Sequence, residues 1–157
     1  MRSLNEAVLY PGIGMIEATN ISVGRGTNTP FEVVGAPWID PVTLAQYLNA
    51  REISGVRFVP VNFMPNSSNY ANEKCGGVNI VVTDRNALDA PELGAELASA
   101  LQKLYPNHYK IARLDSLMVN KTSFDAITAG EDPRRIAERW QDSIEQFEAI
   151  RTKYLLY

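Results

Sequence analysis

The chain has 157 residues, 45% of them hydrophobic and 21% charged, which suits one soluble domain with a proper core. A net charge of −3 offers no electrostatic basis for nucleic-acid binding. One cysteine (Cys75) excludes an internal disulfide, and one histidine (His108) excludes a multi-histidine metal centre, so any Ser-His-Asp triad would have to use His108. No metal or cofactor is expected.

In chain order, "MRSLNEAVLYPG" lacks the apolar run of a signal peptide, and no later segment is apolar enough to span a bilayer. Sequons begin at Asn20, Asn66 and Asn120 and are read as chance matches. The runs "IGMIE" (13–17) and "FEVVGA" (31–36) predict strands on either side of a polar stretch. Asp40-Pro41 predicts an N-cap with proline in the first helical turn, and Leu44, Ala45 and Leu48 give that helix its apolar face. "GVRFVPVNF" (55–63) reads as a strand, with Pro60 placing it at an edge or a bulge. The polar loop 64–76 has a length usually associated with function or mobility, and "GVNIVVTD" (77–84) predicts a central strand.

Leu93, Leu97, Leu101 and Leu104 predict a helix from about Pro91 to Leu104. "YKIARL" (109–114) reads as a strand and "SFDAITAG" (123–130) as a short helix ended by Gly130. Asp132-Pro133 opens a long last helix with Ile136, Trp140, Ile144, Phe147 and Tyr154 in one stripe. Strands in the first half and helices in the second predict an α+β fold, with a mixed or antiparallel, partly barrel-like sheet.

The polar stretch "EATNISVGRGTNTPFE" (17–32) is the candidate functional motif. A dinucleotide fingerprint wants a third glycine where Thr29 stands, then a helix N-terminus where Pro30 and a strand-like run follow. No Gly-Lys-Ser/Thr supports a P-loop either. Two readings stay open: a glycine-mediated bend stitched by its own side chains, or a site for a polyhydroxylated, carboxylate-bearing ligand. The density of Glu17, Asn20, Ser22, Arg25 and Thr27 favours the second.

The block "LYPGIGMIEATNISVGRGTNTPFEVVGAPWID" (9–40) resembles the signature of bacterial exo-β-N-acetylmuramidases of the NamZ type. The resemblance continues through "GVRFVPVNFMP" (55–65), "CGGVNIVVTDR" (75–85) and "FEAIRTKYLLY" (147–157), nearly the whole chain. It implies two domains, an N-terminal Rossmann-like part and a smaller C-terminal α+β part, with the substrate cleft between them. This chain resembles only the C-terminal part. Full-length members carry a "PSPNM"-like stretch before the LYPG block, which implies that Met1 is an internal position of the family pattern. The implied reaction removes terminal N-acetylmuramic acid from the non-reducing end of peptidoglycan fragments, with the usual catalytic glutamate in the N-terminal part. Family members are typically exported, implying a periplasmic or extracellular bacterial protein.

On that resemblance Glu17 becomes the candidate auxiliary catalytic carboxylate, or else a partner that merely holds Arg25. Arg25 suits the lactyl carboxylate of muramic acid, or a structural salt bridge with Glu17 or Glu32. Asn20, Ser22 and Thr27 are candidate contacts to hydroxyl or acetamido groups, or loop-stabilising residues. Trp38 is read as core or as a stacking surface, and Trp140 as core. Cys75 is read as structural, His108 as a surface turn residue, Arg134 and Arg135 as a solvated face, and Asn62 and Asn69 as possible rim contacts. The implied partners are a peptidoglycan-derived saccharide and the N-terminal domain, and the oligomeric state is left open. The competing function is a non-catalytic saccharide-binding or interdomain scaffolding domain; an autonomous small enzyme is disfavoured by the lack of paired carboxylates.

Overall fold

The computed structural model describes residues 2–155. Its first element is a helix, α1 (Leu4–Ile16), capped by the Ser3 hydroxyl, which accepts from the Glu6 amide at 3.1 Å. Leu9, Ile13 and Ile16 recur at helical spacing and are fully buried. The strand expected at 13–17 is therefore the end of this helix and the residue after it. Pro11, Gly12 and Gly14 disguise the helical period, although the helix runs through Pro11.

Gly12 has a packing reason. A Cβ there would lie 1.9 Å from the Ala90 carbonyl oxygen, and one at Gly94 would lie 2.6 Å from the Gly12 oxygen. The two glycines let α1 press its backbone onto α3 (Ala90–Leu104). Helix α3 starts at an Asp89 cap that accepts from the Glu92 amide at 2.9 Å, and it buries Leu93, Leu97 and Leu101 completely. Each such leucine stabilises the fold by about 1.5–3 kcal/mol.

The sheet contains β1 (Val33–Ala36), β2 (Val56–Phe63) and β3 (Cys75–Val82), in the order β1-β3-β2 with both pairings antiparallel. The central place of β3 and the edge place of Pro60-bearing β2 match the sequence reading. Strand β1 starts later than expected because Phe31 holds a left-handed φ of 66°. The sheet is open, so the barrel-like aspect of the expectation is not realised. Between β1 and β2 lies α2 (Pro41–Ala50), where Asp40 accepts from the Thr43 amide at 2.7 Å and Leu44, Ala45 and Leu48 are buried. The α+β class holds.

Beyond α3, residues 109–114 are not a strand: Ile111–Leu114 forms a 3-10 turn. The Lys110 amide, which a strand would offer to a neighbour, donates instead to the Asn20 side chain at 2.7 Å. There follow α4 (Asp115–Met118), α5 (Lys121–Thr128), with left-handed Gly130 just beyond its end, α6 (Pro133–Glu138) and α7 (Gln141–Arg151). The expected last helix thus forms as two segments parted at Arg139-Trp140. Its stripe divides too: Ile136 is buried and Trp140 packs on the core, while Ile144, Phe147 and Tyr154 are exposed. The final two residues of the "FEAIRTKYLLY" block lie outside the described residues.

One ionic cluster ties the helices together. Buried Glu96 on α3 accepts two bonds from Arg51, at 2.9 and 2.7 Å, and Arg51 also donates to Asp132, the cap of α6, at 2.7 Å. The Arg51 bond, with that of the Arg134 amide, holds the Asp132 carboxyl below its ordinary value. Arg134 itself reaches back to the Arg51 carbonyl, so it is more than a solvated face.

Gly12→Ala tests the α1–α3 contact. Helix propensity alone favours alanine by up to about 1 kcal/mol, but the added methyl meets backbone that cannot move aside cheaply. The variant is expected to lose about 1–3 kcal/mol, read as a lower urea midpoint; an unchanged midpoint would show that the two helices are not in register as described.

Candidate functional site

The motif begins where α1 ends. Thr19 closes the helix, its hydroxyl donating to the Ile16 carbonyl at 2.6 Å. Asn20 then spans a long gap in sequence. Its Nδ2 donates to the His108 carbonyl at 2.9 Å, and its Oδ1 accepts from the Lys110 amide at 2.7 Å. Both ends of the Asn20 side chain are therefore engaged with backbone.

Ser22 forms an isolated antiparallel bridge with Gly35, both backbone bonds being 2.9 Å, and is only 2% exposed. Its hydroxyl accepts from the Gly24 amide at 3.4 Å. Gly24 and Gly26 hold left-handed φ values of 76° and 83°, turning the chain sharply around Arg25. Thr27 closes that turn: its hydroxyl donates to the Gly24 carbonyl at 2.7 Å and accepts from the Thr29 amide at 3.1 Å.

Arg25 is thrown outward at the tip of the turn and faces back to Glu17. Its Nε pairs with Oε1 and its Nη2 with Oε2, the latter at 3.1 Å, so both carboxylate oxygens are engaged. Its guanidinium lies 4.9 Å from the Phe31 ring centroid, and Phe31 meets Tyr10 edge-on at 4.9 Å. The Glu17 hydrogen bond drives the Arg25 pKa upward against a smaller opposing effect of burial. Arg25 nonetheless keeps 46% of its side chain exposed, against 27% for Glu17, and retains N–H groups that no hydrogen bond among the described residues uses. The arrangement is a fixed, outward guanidinium, suited to a carboxylate or phosphate.

The loop between β2 and β3 grips the motif from the other side. The Asn66 amide donates to the Gly26 carbonyl at 2.9 Å, and Asn69 Nδ2 donates to the carbonyls of Thr19 and Ile21 at 3.3 and 2.8 Å. The Tyr70 hydroxyl donates to the Asn20 carbonyl at 2.9 Å and accepts from Trp38 Nε1 at 3.2 Å. Ser68, Tyr70 and Asn72 all hold left-handed φ values, 68°, 61° and 63°. Strain of that kind persists only where the surroundings over-determine the backbone, and it clusters at functional sites.

Trp38 is half-buried, stacked at 15° on His108 with ring centres 5.7 Å apart and meeting Tyr105 edge-on at 5.5 Å. It is neither wholly core nor a free platform. His108 is exposed on a turn, as the sequence suggested, and Asn62 is exposed on edge strand β2. Cys75 is buried, and burial pushes its thiol up to about 11, which leaves it a poor nucleophile.

The structure thus gathers Glu17, Asn20, Ser22, Arg25 and Thr27 into one loop, but in different roles. Arg25 faces outward, Glu17 holds it, and the Asn20, Ser22 and Thr27 side chains are spent on the loop itself. Tyr70 was missed in sequence, although the 64–76 loop that carries it stood out there. The loop's length and its Asn and Ser density were visible, whereas its partner was not. Cavities of about 580 and 500 Å³ lie elsewhere and include none of the five residues. Among the described residues, no group of three His, Cys, Asp or Glu side chains is placed to hold a metal, and no helix is long and apolar enough to cross a membrane.

Asn20→Ala strands the Lys110 amide and the His108 carbonyl. It should cost about 0.5–1.5 kcal/mol and accelerate amide exchange at Lys110. Thr27→Val, which removes only the two local turn bonds of the hydroxyl, should leave Lys110 unaffected; equal exchange in both variants would contradict the clamp.

Comparison with known proteins bears on this geometry. The family model described as exo-β-N-acetylmuramidase NamZ, C-terminal, matches residues 8–157. A peptidoglycan β-N-acetylmuramidase NamZ of Bacillus subtilis (strain 168) is 34% identical over 160 residues, covering 100% of this chain and 39% of that protein. Two crystal structures of DUF1343 family proteins from Bacteroides fragilis NCTC 9343 share the fold. One has a TM-score of 0.70 at 26% identity, covering 96% of this chain and 42% of the other. The second has a TM-score of 0.68 at 26% identity, covering 99% and 41%. The chain spans less than half the length of each of these relatives.

Proposed function

The chain belongs to the C-terminal family of NamZ exo-β-N-acetylmuramidases, and from that premise we propose that its motif forms one wall of a site for terminal N-acetylmuramic acid. The observation that carries the reading is Arg25: an exposed guanidinium held in a fixed direction by Glu17 and seated over Phe31. Muramic acid differs from glucosamine by a lactyl carboxylate, and a pre-oriented guanidinium is the side chain that recognises a carboxylate in a defined plane. Recognition by such a group falls on the one feature that separates the two sugars of the glycan.

Glu17 acts in this reading as the positioning residue of Arg25, since both its oxygens face the guanidinium. Asn20 and Ser22 shape the wall without touching the sugar, and Thr27 fixes the turn that presents Arg25. Glycoside hydrolysis generally needs two carboxyl groups about 5–10 Å apart across the scissile bond, and both glutamates of this motif are engaged, Glu17 by Arg25 and Glu32 by the Ser3 hydroxyl at 3.0 Å. We therefore assign the principal catalytic glutamate to the portion of the family polypeptide beyond this chain, together with the opposite wall of the cleft. The isolated chain is inactive on this account. On this reading the working protein meets its peptidoglycan substrate in the periplasm or outside the cell.

A second reading has its own observation. Most polar side chains of the motif are already engaged, Glu17 with Arg25 and Asn20, Ser22 and Thr27 with backbone groups, as a scaffold at a domain boundary would require, so the motif would shape the cleft without contacting the sugar.

The two separate in a polypeptide that joins this chain to the N-terminal portion of its family, assayed for release of muramic acid. Arg25→Ala should lower kcat/KM by about 10- to 100-fold, the loss of a charged hydrogen-bond pair. Glu17→Gln should produce a smaller loss in the same direction. Full activity in both variants would leave the scaffold reading, and clear turnover by the 157-residue chain alone would refute the assignment of the catalytic glutamate.

A further inference from the structure

The apolar stripe of the C-terminal helices leaves the core without changing its period. Ile136 on α6 is 1% exposed, and Trp140 packs against the core with its Nε1 donating to Ser123 Oγ at 2.8 Å. One turn later, on α7, the same line continues as Ile144, Phe147 and Ile150, which are 42%, 62% and 54% exposed. Not one residue of α7 is buried. An eleven-residue helix has little stability of its own in water, so its apolar face calls for a covering surface. Beside it opens a cleft of about 580 Å³, whose apolar lining includes Met15, Met118, Ile136, Trp140, Ile144 and Phe147. Soluble monomers rarely leave such a continuous patch uncovered.

We propose that this face, the α7 stripe with the adjoining cleft, is the seat of the N-terminal portion that the relatives carry and this chain does not include. The chain corresponds to 39% of the Bacillus subtilis relative and to 42% and 41% of the two Bacteroides proteins, and the family model it matches is a C-terminal one. In those proteins more than half of the polypeptide is therefore tethered to a domain of this fold. A tethered domain acts at high effective concentration and outcompetes a free partner for the same apolar surface. Position adds a consequence. Met15 lines the cleft two residues before Glu17, so a domain seated there abuts the start of the polar motif. The occupant must present apolar side chains that enter between Trp140 and Met118. None of this depends on whether the motif binds a saccharide.

Amide exchange across residues 141–151 tests the proposal. It is measured in the 157-residue chain and in a polypeptide where that chain follows the N-terminal portion of the Bacillus subtilis relative. The full-length relative is measured alongside, at its counterpart of α7. Protection should rise by about 100-fold or more in the longer polypeptides, with the central strand β3 as an internal reference. Phe147→Asp should abolish that gain while leaving the unfolding midpoint of the isolated chain unchanged, because Phe147 buries little there. Fast exchange of α7 and its counterpart in the longer polypeptides would overturn the proposal. So would protection that appears in the isolated chain as its concentration rises and it sediments as a dimer, which would assign the face to a second copy.

Discussion

The site depends on Asn20. Its side chain bridges the His108 carbonyl and the Lys110 amide, while its own carbonyl receives the Tyr70 hydroxyl. Three segments far apart in the chain, the motif, the 64–74 loop and the turn after α3, are joined at this one residue. Each such bond contributes about 0.5–1.5 kcal/mol net, and together they tie the three segments into one arrangement. The consequence for function lies five residues on, where Gly24 and Gly26 turn the chain and Arg25 projects. A guanidinium on a mobile loop loses much of its recognition energy to ordering; one on a clamped loop does not.

The helical half serves the same end from behind. The Gly12–Gly94 contact brings α1 onto α3, and the last turn of α1 delivers Glu17 to the surface. The Arg51–Glu96–Asp132 cluster holds α2, α3 and the start of α6 in one arrangement. A buried carboxylate paired with an arginine is poor evidence of added stability, but it strongly disfavours alternative packings that would leave Glu96 unpaired. The motif thus rests on a base whose geometry is set by close backbone approach and by one buried charge.

Much of this architecture was legible in the sequence. Asp40-Pro41 and Asp132-Pro133 announced helix starts because a side-chain cap and a preset φ act locally. The leucine spacing of α3 and the edge position of Pro60 follow from equally local rules. The failures share a cause. "IGMIE" and "YKIARL" are short apolar runs whose helical or 3-10 state is decided by tertiary partners: α3 for the first, the Asn20 side chain for the second. Likewise the polar density around Arg25 was visible, but not which polar groups were committed to the loop. The partners of the Asn20 and Ser22 side chains are backbone groups, those of His108 and Lys110 far along the chain for Asn20 and the Gly24 amide for Ser22, so their engagement leaves no mark in the side-chain pattern. Tyr70 could not be picked out, since its role exists only once two loops meet.

The central claim is that Arg25, oriented by Glu17, faces the lactyl carboxylate of muramic acid. The most direct measurement is a crystal structure of the family's full polypeptide carrying this domain, with a non-hydrolysable muramoyl disaccharide bound. The account predicts the lactyl carboxylate within hydrogen-bonding distance of the Arg25 guanidinium, with the Glu17–Arg25 pair intact and Asn20 still bridging to Lys110. A saccharide whose carboxylate is held by other residues, with Arg25 turned away from it, would contradict the account.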